Sequence, residues 1–418
     1  MKLARYSMGI GDRFGREGKT LLSAFVRAAE KGVEITPVWN KSFREHSIIR
    51  STPAETRAAA DQAVKQSGWI APYFVDADHI TLKTAPHFVE SCDFFTLDVA
   101  DAIGKKTTDE ERDAFIDRHR RFTGLLTIPR LDNSFFITEE DIQSIAAKYL
   151  YAVKSAAEIY RHIRAARGEQ GFICEMSIDE TEEPQTPEEL FFILAAAADE
   201  GLPLQTVAPK FSGRFNKGVD YVGAVDNFRR EFEADVAVVQ YATRCFDLSP
   251  NLKLSVHSGS DKFSLYPAMH QILERFSAGV HLKTAGTTWL EELIGLAMAG
   301  GEALEIVKDI YAAAYERYAE LSKPYESVID IHFKRLPAPK IIKAWDQEQW
   351  VQALQHRPEH PFFNAHLRQL LHVSFKIAAE MGSRFTAALD QYRDVIAANV
   401  YENIFIRHMQ PLFFGNIP

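Results

Sequence analysis

Short apolar runs alternate with longer segments of helical periodicity along the first three quarters of the chain. Eight of these runs have the length of buried strands, and they read ARYSMGI, VEITPVW, APYFVDA, DFFTLDVA, GFICEMSI, LPLQTVA, LKLSVHS and GVHLKT. Segments between them, such as TPAETRAAADQAV and TPEELFFILAAAADEG, repeat apolar residues at helical spacing and carry Pro53 and Pro187 in the first turn. The chain is therefore predicted to alternate strands with helices.

A strand followed by a helix, repeated eight times in about 320 residues, predicts parallel strands joined by right-handed crossovers. We expect an α/β protein with a closed (β/α)8 barrel of the TIM type over residues 1–322. A helical insertion is expected at about residues 105–167. The almost entirely helical C-terminal extension, residues 323–418, is expected to pack on the barrel. A doubly wound open sheet is the alternative.

Composition narrows the classes of partner. The chain has 418 residues and a formal net charge of -9 without a block of like charges, which argues against a nucleic-acid surface. Its cysteines, Cys92, Cys174 and Cys245, are widely spaced, as is typical of a reducing compartment. No apolar window approaches the roughly 18 residues of a membrane span. We expect a cytoplasmic protein without nucleic-acid or membrane partners, and a homo-oligomer is compatible with this composition.

Polar side chains gather where the predicted strands end. In a (β/α)8 barrel the active site lies at that face, because the loops that follow the strands converge there. The stretch YFVDADHITL places Asp76, Asp78 and His79 directly after an apolar run. Any one such residue has a simpler explanation as a helix cap or part of a solvated loop. Polar residues at all eight strand ends favour a functional site.

Imidazole and carboxylate groups among these strand ends predict a divalent metal site. His79, Glu175 and His257 are the candidate ligands, with His281 or Asp98 as a fourth, and such donors suit Zn²⁺ or Mn²⁺. We expect Asp76 or Asp78 to hold the imidazole of His79 through its other nitrogen. The sequence contains no HExxH or paired CxxC motif, and a buried core histidine is the alternative for His281.

Cationic residues at the same rim contrast with the acidic protein as a whole and suggest an anionic, hydroxyl-rich small molecule. We expect Lys41, Arg44, Lys210 and Ser258 to bind this substrate, with the cations on a carboxylate. Surface salt bridging is the alternative for the cations. The Gly-rich stretch GIGDRFG has the spacing GxGxxxG rather than GxGxxG and is interpreted as a tight strand-to-helix turn.

Six stretches together resemble the tagaturonate epimerase family of hexuronate catabolism. They are YSMGIGDRFG, PVWNKSFREHSII, DADHI, DFFTLDVADAIG, APKFSGRFNKGVDY and HSGSDKFSLYP, which extend from the first predicted strand to the seventh. The resemblance implies a divalent-metal-dependent enzyme that interconverts D-tagaturonate and D-fructuronate, two ketohexuronates that differ at carbon 4. It also implies weak acceptance of neutral ketohexoses such as tagatose and fructose.

The substrate constrains the mechanism, because carbon 4 is not adjacent to the ketone and its proton is not acidic. Retro-aldol cleavage between carbons 3 and 4, followed by re-addition, is the favoured route, with a metal as Lewis acid and Asp98 or Asp78 as proton acceptor. Schiff-base chemistry at Lys283 is an alternative. Transient oxidation by a nicotinamide would need a nucleotide-binding fingerprint. A metal-dependent isomerase or aldolase, or a non-catalytic sugar-acid-binding protein, would present the same rim.

Overall fold

A closed barrel of eight parallel strands forms the centre of the computed structural model, which describes residues 1–132, 134–181 and 183–415. The barrel strands are β1 (Tyr6–Ile10), β2 (Ile35–Ser42), β3 (Phe74–Ile80), β4 (Phe94–Asp98), β7 (Ile173–Ser177), β8 (Leu204–Ala208), β9 (Lys253–His257) and β10 (Val280–Lys283). A separate antiparallel hairpin contains β5 (Gly124–Leu126) and β6 (Phe135–Ile137). Pairing of β1 with β10 closes the barrel, so the predicted fold class is confirmed and an open sheet is excluded.

Helices surround the barrel and continue after its last strand. Up to β10 they are α1 (Gly18–Glu30), α2 (Phe43–Ile49), α3 (Pro53–Ser67), α4 (Asp109–His119), α5 (Glu139–Arg167), α6 (Pro187–Asp199), α7 (Val225–Cys245) and α8 (Tyr266–Phe276). After β10 they are α9 (Thr287–Ala299), α10 (Gly301–Glu316), α11 (Tyr318–Ser322), α12 (Pro339–Ile342), α13 (Gln347–Leu354), α14 (Ala365–Val373), α15 (Phe375–Met381), α16 (Ser383–Gln391) and α17 (Arg393–Tyr401). A π-helix, Glu402–Phe414, follows α17. In the described part of the chain, no helix has the length and apolar composition of a membrane span.

Several helix starts follow directly from the sequence. The hydroxyls of Thr52 and Thr186 accept the backbone N–H groups of Glu55 and Glu189, and each glutamate side chain bonds back to the threonine N–H. These capping boxes satisfy N–H groups that the first helical turn leaves unpaired. The starts of α3 and α6 are thereby fixed.

The insertion between β4 and β7 is only partly helical. It contains α4 and α5, as predicted, but also the β5–β6 hairpin, in which Leu125 pairs with Phe136. The runs that form the hairpin, GLL and FFI, are three residues each and too short for periodicity to distinguish strand from loop. The proposed domain boundaries stay a prediction.

The side chains inside the barrel are apolar at one end and polar or charged at the other. Alternate residues of each strand point inward, so Phe74, Asp76 and Asp78 of β3 lie at successive depths. A small apolar cluster separate from the main core closes the end where the strands begin, and it consists of Leu3, Val38, Phe74, Phe94 and Ile173. Polar and charged side chains occupy the levels above it. The opposite end of the barrel is therefore the chemically active one.

The helices of the C-terminal extension pack directly on the barrel's own helices. Helix α17 contacts α9 and α1, and the π-helix contacts α8. A buried carboxylate joins the two parts. Asp261, in the loop after β9, accepts hydrogen bonds from His356 Nδ1 at 2.9 Å, Arg368 Nη2 at 2.7 Å and Thr287 Oγ1 at 3.0 Å. Burial alone would raise the pKa of Asp261, but the His356 hydrogen bond and the Arg368 charge hold it well below its usual range.

Replacing Asp261 with Asn should destabilise the protein strongly. The change leaves the fully buried Arg368 guanidinium without its counter-charge, and breaking such a pair costs about 3–5 kcal/mol. Urea denaturation measures the free energy of unfolding. Asp309→Asn is a matched control, because Asp309 pairs with Arg384 on the surface and its loss should cost about 1 kcal/mol or less. Equal losses in the two variants would contradict the role given to Asp261.

Candidate active site

A cavity of about 1110 Å³ opens at the end of the barrel where the strands finish. Its wall includes side chains at or just after the ends of β3, β4, β7, β9 and β10, which are Asp78, His79, Asp98, Asp179, His257 and Lys283. The C-terminal extension also contributes to the wall, through Pro324, Tyr325, His372 and Phe375. The cavity is thus bounded by the barrel mouth on one side and by added helices on the other.

The floor of the cavity is built around one buried ammonium group. Lys283 Nζ lies 2.9 Å from Asp76 Oδ2, 2.8 Å from Asp78 Oδ1 and 2.9 Å from Glu175 Oε1, and it also donates to the hydroxyl of Thr96. Thr96 and Glu175 are register partners across β4 and β7, and the long Lys283 side chain reaches both of them from β10. The arrangement is a charged layer inside the barrel.

Charge within this layer determines the protonation of its members. Burial would lower the pKa of Lys283, but the three surrounding carboxylates raise it well above its ordinary value. Burial raises the pKa of Asp76 to about 7, whereas Lys283 overcomes the effect of burial at Asp78 and lowers its pKa to about 2. Lys283 is therefore held as an ammonium ion. Since a Schiff base requires a free amine, this environment disfavours the alternative in which Lys283 is a nucleophile.

Two histidines lie above the charged layer with their rings 5.0 Å apart. His257 Nε2 lies 2.9 Å from Glu175 Oε1, and its Nδ1 lies 3.1 Å from Asp179 Oδ2. His79 Nδ1 lies 3.4 Å from Asp98 Oδ2. His79 has a φ of 49°, at a break in the pairing of β3 with β4, and this left-handed conformation turns the chain at the strand end. Strand geometry and one local turn together bring the two rings face to edge.

These side chains form a donor set that suits a divalent cation. His79, Asp179 and His257 can each offer one ligand atom, with the three atoms within 4.8 Å of one another. A second such group contains His79, Asp98 and Glu180. The Nδ1 atoms of both histidines are buried and face the carboxylates of Asp98 and Asp179, but these contacts lack the geometry of a hydrogen bond. Two imidazoles and a carboxylate are ligands that Zn²⁺ and similar ions prefer, so the residues present fit such an ion.

The predicted metal ligands occupy different levels. His79 and His257 come together as expected. Glu175 lies beneath them, where its oxygens already accept from Thr96 at 3.1 Å and Thr206 at 2.7 Å, so it is placed to orient His257 through Nε2. The carboxylate beside the two rings is Asp179, which is not among the ligands predicted from the sequence. Asp179 lies two residues after the end of β7. Because it belongs to a loop, the sequence does not predict where its side chain points.

His281 does not reach this group. It lies one level deeper in the barrel, with Nδ1 2.9 Å from Ser7 Oγ and its ring 5.3 Å from that of Phe94. Burial lowers the pKa of His281 to about 3, so the imidazole is neutral. The prediction of His281 as a ligand is therefore not supported by the geometry, because the alternation along β10 directs it inward but too far from the mouth.

The two carboxylates predicted as proton acceptors differ in their surroundings. Asp78 Oδ1 is tied to Lys283, and its lowered pKa makes it a weak base. Asp98 lines the cavity, and its Oδ1 accepts the backbone N–H of Ala100 at 3.1 Å. Its other oxygen faces His79. Both carboxylates line the cavity, and Asp98 is the one that is not paired with the Lys283 ammonium group.

The predicted substrate-binding residues separate into two sets. Arg44 and Lys210 line the cavity, and the Arg44 guanidinium lies 5.5 Å from the centre of the Tyr325 ring. Lys41 and Ser258 are buried and do not belong to the lining. Lys41 Nζ donates to the carbonyl of Arg13 at 2.9 Å, and Ser258 Oγ donates to the carbonyl of Lys283 at 2.8 Å. Both donate to residues that do line the cavity, and their predicted contact with substrate stays a prediction.

The cavity is also lined by cationic residues that are not among the predicted substrate-binding residues. Arg13 lies after β1, with its Nε 3.1 Å from Glu45 Oε1. Arg214 and Lys217 follow Lys210 in the loop after β8. The wall of the cavity is thus rich in positive charge, above a floor rich in negative charge.

Comparison with known proteins gives a consistent result. The sequence model of one family, tagaturonate epimerase, matches residues 1–410. The tagaturonate/fructuronate epimerase of Thermotoga maritima is 27% identical over 423 residues, which cover 96% of this chain and 79% of that protein. Two crystal structures of the fructuronate-tagaturonate epimerase from Cohnella laeviribosi, one with glycerol and one native, match with TM-scores of 0.81 and 0.80 at 22% identity. Each match covers 99% of this chain and 82% of that one, and supports the fold.

Replacing Lys283 with Met should destabilise the protein in a pH-dependent way. The change keeps a side chain of similar length but leaves Asp76 and Glu175 buried without a counter-charge, which should lower the free energy of unfolding at pH 7 by about 3–5 kcal/mol. In the wild type, the pKa of Asp78 is about 2, so its ionised form contributes stability above the ordinary carboxyl pKa of about 3.9 and loses it as the pH falls toward 2. The variant's carboxyls should protonate at higher pH.

The difference in stability between wild type and Lys283→Met should therefore shrink as the pH is lowered from about 7 to about 4. Urea denaturation at the two pH values measures it. A difference that does not change with pH would contradict the charged layer described for this site.

Proposed function

This chain belongs to the tagaturonate epimerase family, and from that premise we propose that it interconverts D-tagaturonate and D-fructuronate by inverting carbon 4. Membership makes it an enzyme of the isomerase class. The observation that carries the proposal is the pair of facing histidines with Asp179, directly above the Lys283 layer at the mouth of the barrel. The name of the Thermotoga maritima relative supports the substrate pair.

We propose retro-aldol chemistry, because carbon 4 carries a hydroxyl two carbons from the ketone. A divalent ion held by His79, Asp179 and His257 would supply Lewis-acid polarisation of the ketone and its neighbouring hydroxyl. Glu175 holds His257 through Nε2 and so keeps Nδ1 directed at this position. The Lys283 ammonium, which also lines the cavity, offsets negative charge that develops on the ketone oxygen.

The steps that follow need only one proton acceptor. Asp98 takes the proton of the carbon 4 hydroxyl, the bond between carbons 3 and 4 breaks, and its electron pair passes to an enediolate over carbons 2 and 3. Carbon 4 becomes an aldehyde, which rotates to present its opposite face. Carbon 3 then attacks that face, and Asp98 returns the proton to the new hydroxyl. The cycle conserves atoms and electrons and requires no oxidant.

The turn GIGDRFG gives little support to the alternative route through a nicotinamide. A Cβ atom added at Gly11 would overlap the backbone of Ala285, so this glycine allows the loops after β1 and β10 to approach closely. Gly15 has a φ of +68°, as a tight turn requires. Both glycines therefore have structural reasons to be present, and neither requires a bound pyrophosphate.

Incubation of D-tagaturonate with the purified enzyme should yield D-fructuronate, detected by NMR, and a chelator should suppress the reaction. Accumulation of three-carbon fragments without the epimer would instead indicate an aldolase, and an aldose product would indicate an isomerase. Binding without turnover would favour a sugar-acid-binding protein. Any of these three results would refute the proposed epimerisation.

His257→Ala and Asp179→Ala should each lose the bound metal as well as turnover, because each removes one of three ligands. Elemental analysis of the purified variants measures metal content independently of activity. His281→Gln is the matched control, since His281 lies below the site and should retain full metal occupancy. Metal retained by His257→Ala, or lost only from His281→Gln, would overturn the proposed ligand set.

Arg44→Ala should raise KM for the uronate by about 10-fold or more, because a charged hydrogen bond to the carboxylate contributes about 1.5–3 kcal/mol. KM for the neutral ketohexose D-tagatose should stay within about 2-fold, since it has no carboxylate for the guanidinium to bind. Arg161→Ala on the exposed surface of α5 serves as the control. Equal increases for both sugars would show that Arg44 does not read the carboxylate.

A further inference from the structure

One side chain of the C-terminal extension lies in the cavity wall without an evident structural partner. His372, near the end of α14, is 3% exposed and lines the cavity. Its Nε2 is buried and has no hydrogen-bond partner among the described residues. Other buried histidines of the extension differ in this respect, because His356 bonds to Asp261 and His408 bonds to the carbonyl of Asn403. His372 is therefore not explained by the network that anchors the extension.

The loops beside His372 leave room for its ring because they contain glycines, which have no side chain. A Cβ atom at Gly286 would overlap His372 Nε2, and one at Gly218 would lie 3.2 Å from His372 Cβ. The backbone N–H of Gly286 donates to the carbonyl of Gly259 at 3.0 Å, which ties the loops after β9 and β10 together. An imidazole from outside the barrel is thus fitted between loops that belong to the barrel mouth.

Burial and nearby positive charge keep this imidazole neutral. Burial, together with nearby cations that include Arg13 and Lys217, lowers the pKa of His372 well below its ordinary value. A neutral imidazole has one donor and one acceptor nitrogen. Leaving a buried polar atom without a partner costs about 1–3 kcal/mol, which a ligand hydroxyl could recover because it both donates and accepts. The site therefore suits an uncharged, hydroxyl-bearing part of a ligand.

The immediate neighbours of His372 belong to the same cavity. Lys217, whose ammonium group lies close to Gly259, lines the wall beside it. Phe375 follows His372 by three residues and packs on the Arg13 guanidinium at 4.5 Å from its ring centre. Both Phe375 and Arg13 line the cavity. A continuous part of the wall is therefore shared between the extension and the barrel loops.

We propose that His372 binds a hydroxyl group of the sugar substrate, so that the C-terminal extension supplies part of the substrate site. The identity of the sugar rests on the proposed function, whereas the contact rests on the position of His372 between the glycine-containing loops. His372 is a substrate-binding residue in this proposal and takes no part in proton transfer at carbon 4. Its loss should therefore weaken binding more than it slows the bound substrate.

Steady-state kinetics on D-tagaturonate tests the proposal. His372→Ala should raise KM by about 5- to 100-fold, as expected for loss of a hydrogen bond in a buried site, with kcat within about 3-fold of the wild type. His372→Gln, which restores a donor and an acceptor, should recover part of the loss in KM.

His366→Gln is the matched control, since His366 lies on the same helix α14 but does not line the cavity. It should leave KM unchanged. Metal content and circular dichroism establish that each variant is folded and loaded. An unchanged KM in His372→Ala, an equal effect in His366→Gln, or a loss confined to kcat would overturn the proposal.

Failure of the proposed function would be visible in a different measurement. If the wild type does not epimerise D-tagaturonate, the proposed function fails and the substrate contact fails with it. If the wild type is active and His372→Ala retains its KM, only the contact fails. The wild-type assay and the variant's KM thus separate the two conclusions.

Discussion

The ion cluster of Lys283 with Asp76, Asp78 and Glu175 is the interaction on which the candidate site depends. Carboxylates buried side by side repel one another and lose their hydration, so they remain ionised only if a compensating charge lies among them. Ionised Glu175 in turn accepts from His257 Nε2, which leaves Nδ1 directed at Asp179. A single ammonium group at the end of β10 thus determines the direction of a histidine on the neighbouring strand.

Side chains at different depths inside the barrel have different roles. The apolar cluster at the strand starts excludes water from below, so electrostatic interactions in the charged layer above it act in a medium of low polarity. Inward-facing residues two positions apart on one strand fall into adjacent levels, as Ser255 and His257 do on β9. His281 occupies the level of Ser255 rather than that of His257. This difference in depth, and not residue type, separates a candidate ligand from a structural histidine.

The eight barrel strands could be predicted because buried parallel strands are short apolar runs, and because the helices after them begin with recognisable caps such as Thr52 and Thr186. The location of the site followed from the fold. The roles of the individual residues in the site could not be predicted in the same way. Glu175 and Asp179 belong to the same strand end, and only the three-dimensional structure shows which of them lies beside both histidines. The β5–β6 hairpin was missed because its strands are three residues long.

The contribution of the C-terminal extension could not be derived from periodicity, which reveals an apolar helix face but not what covers it. The contacts that matter join residues more than a hundred positions apart, as when Arg368 binds Asp261 and the carbonyl of Gly218. Lys262 fixes the same loop by donating to the carbonyl of Asn216 at 3.0 Å. Because Arg368 and His372 lie on one helix, the loop with Lys217 and the histidine beside it are held by a single anchor. The two sides of the cavity wall are therefore positioned together, and neither can shift without disturbing the buried pair that joins them.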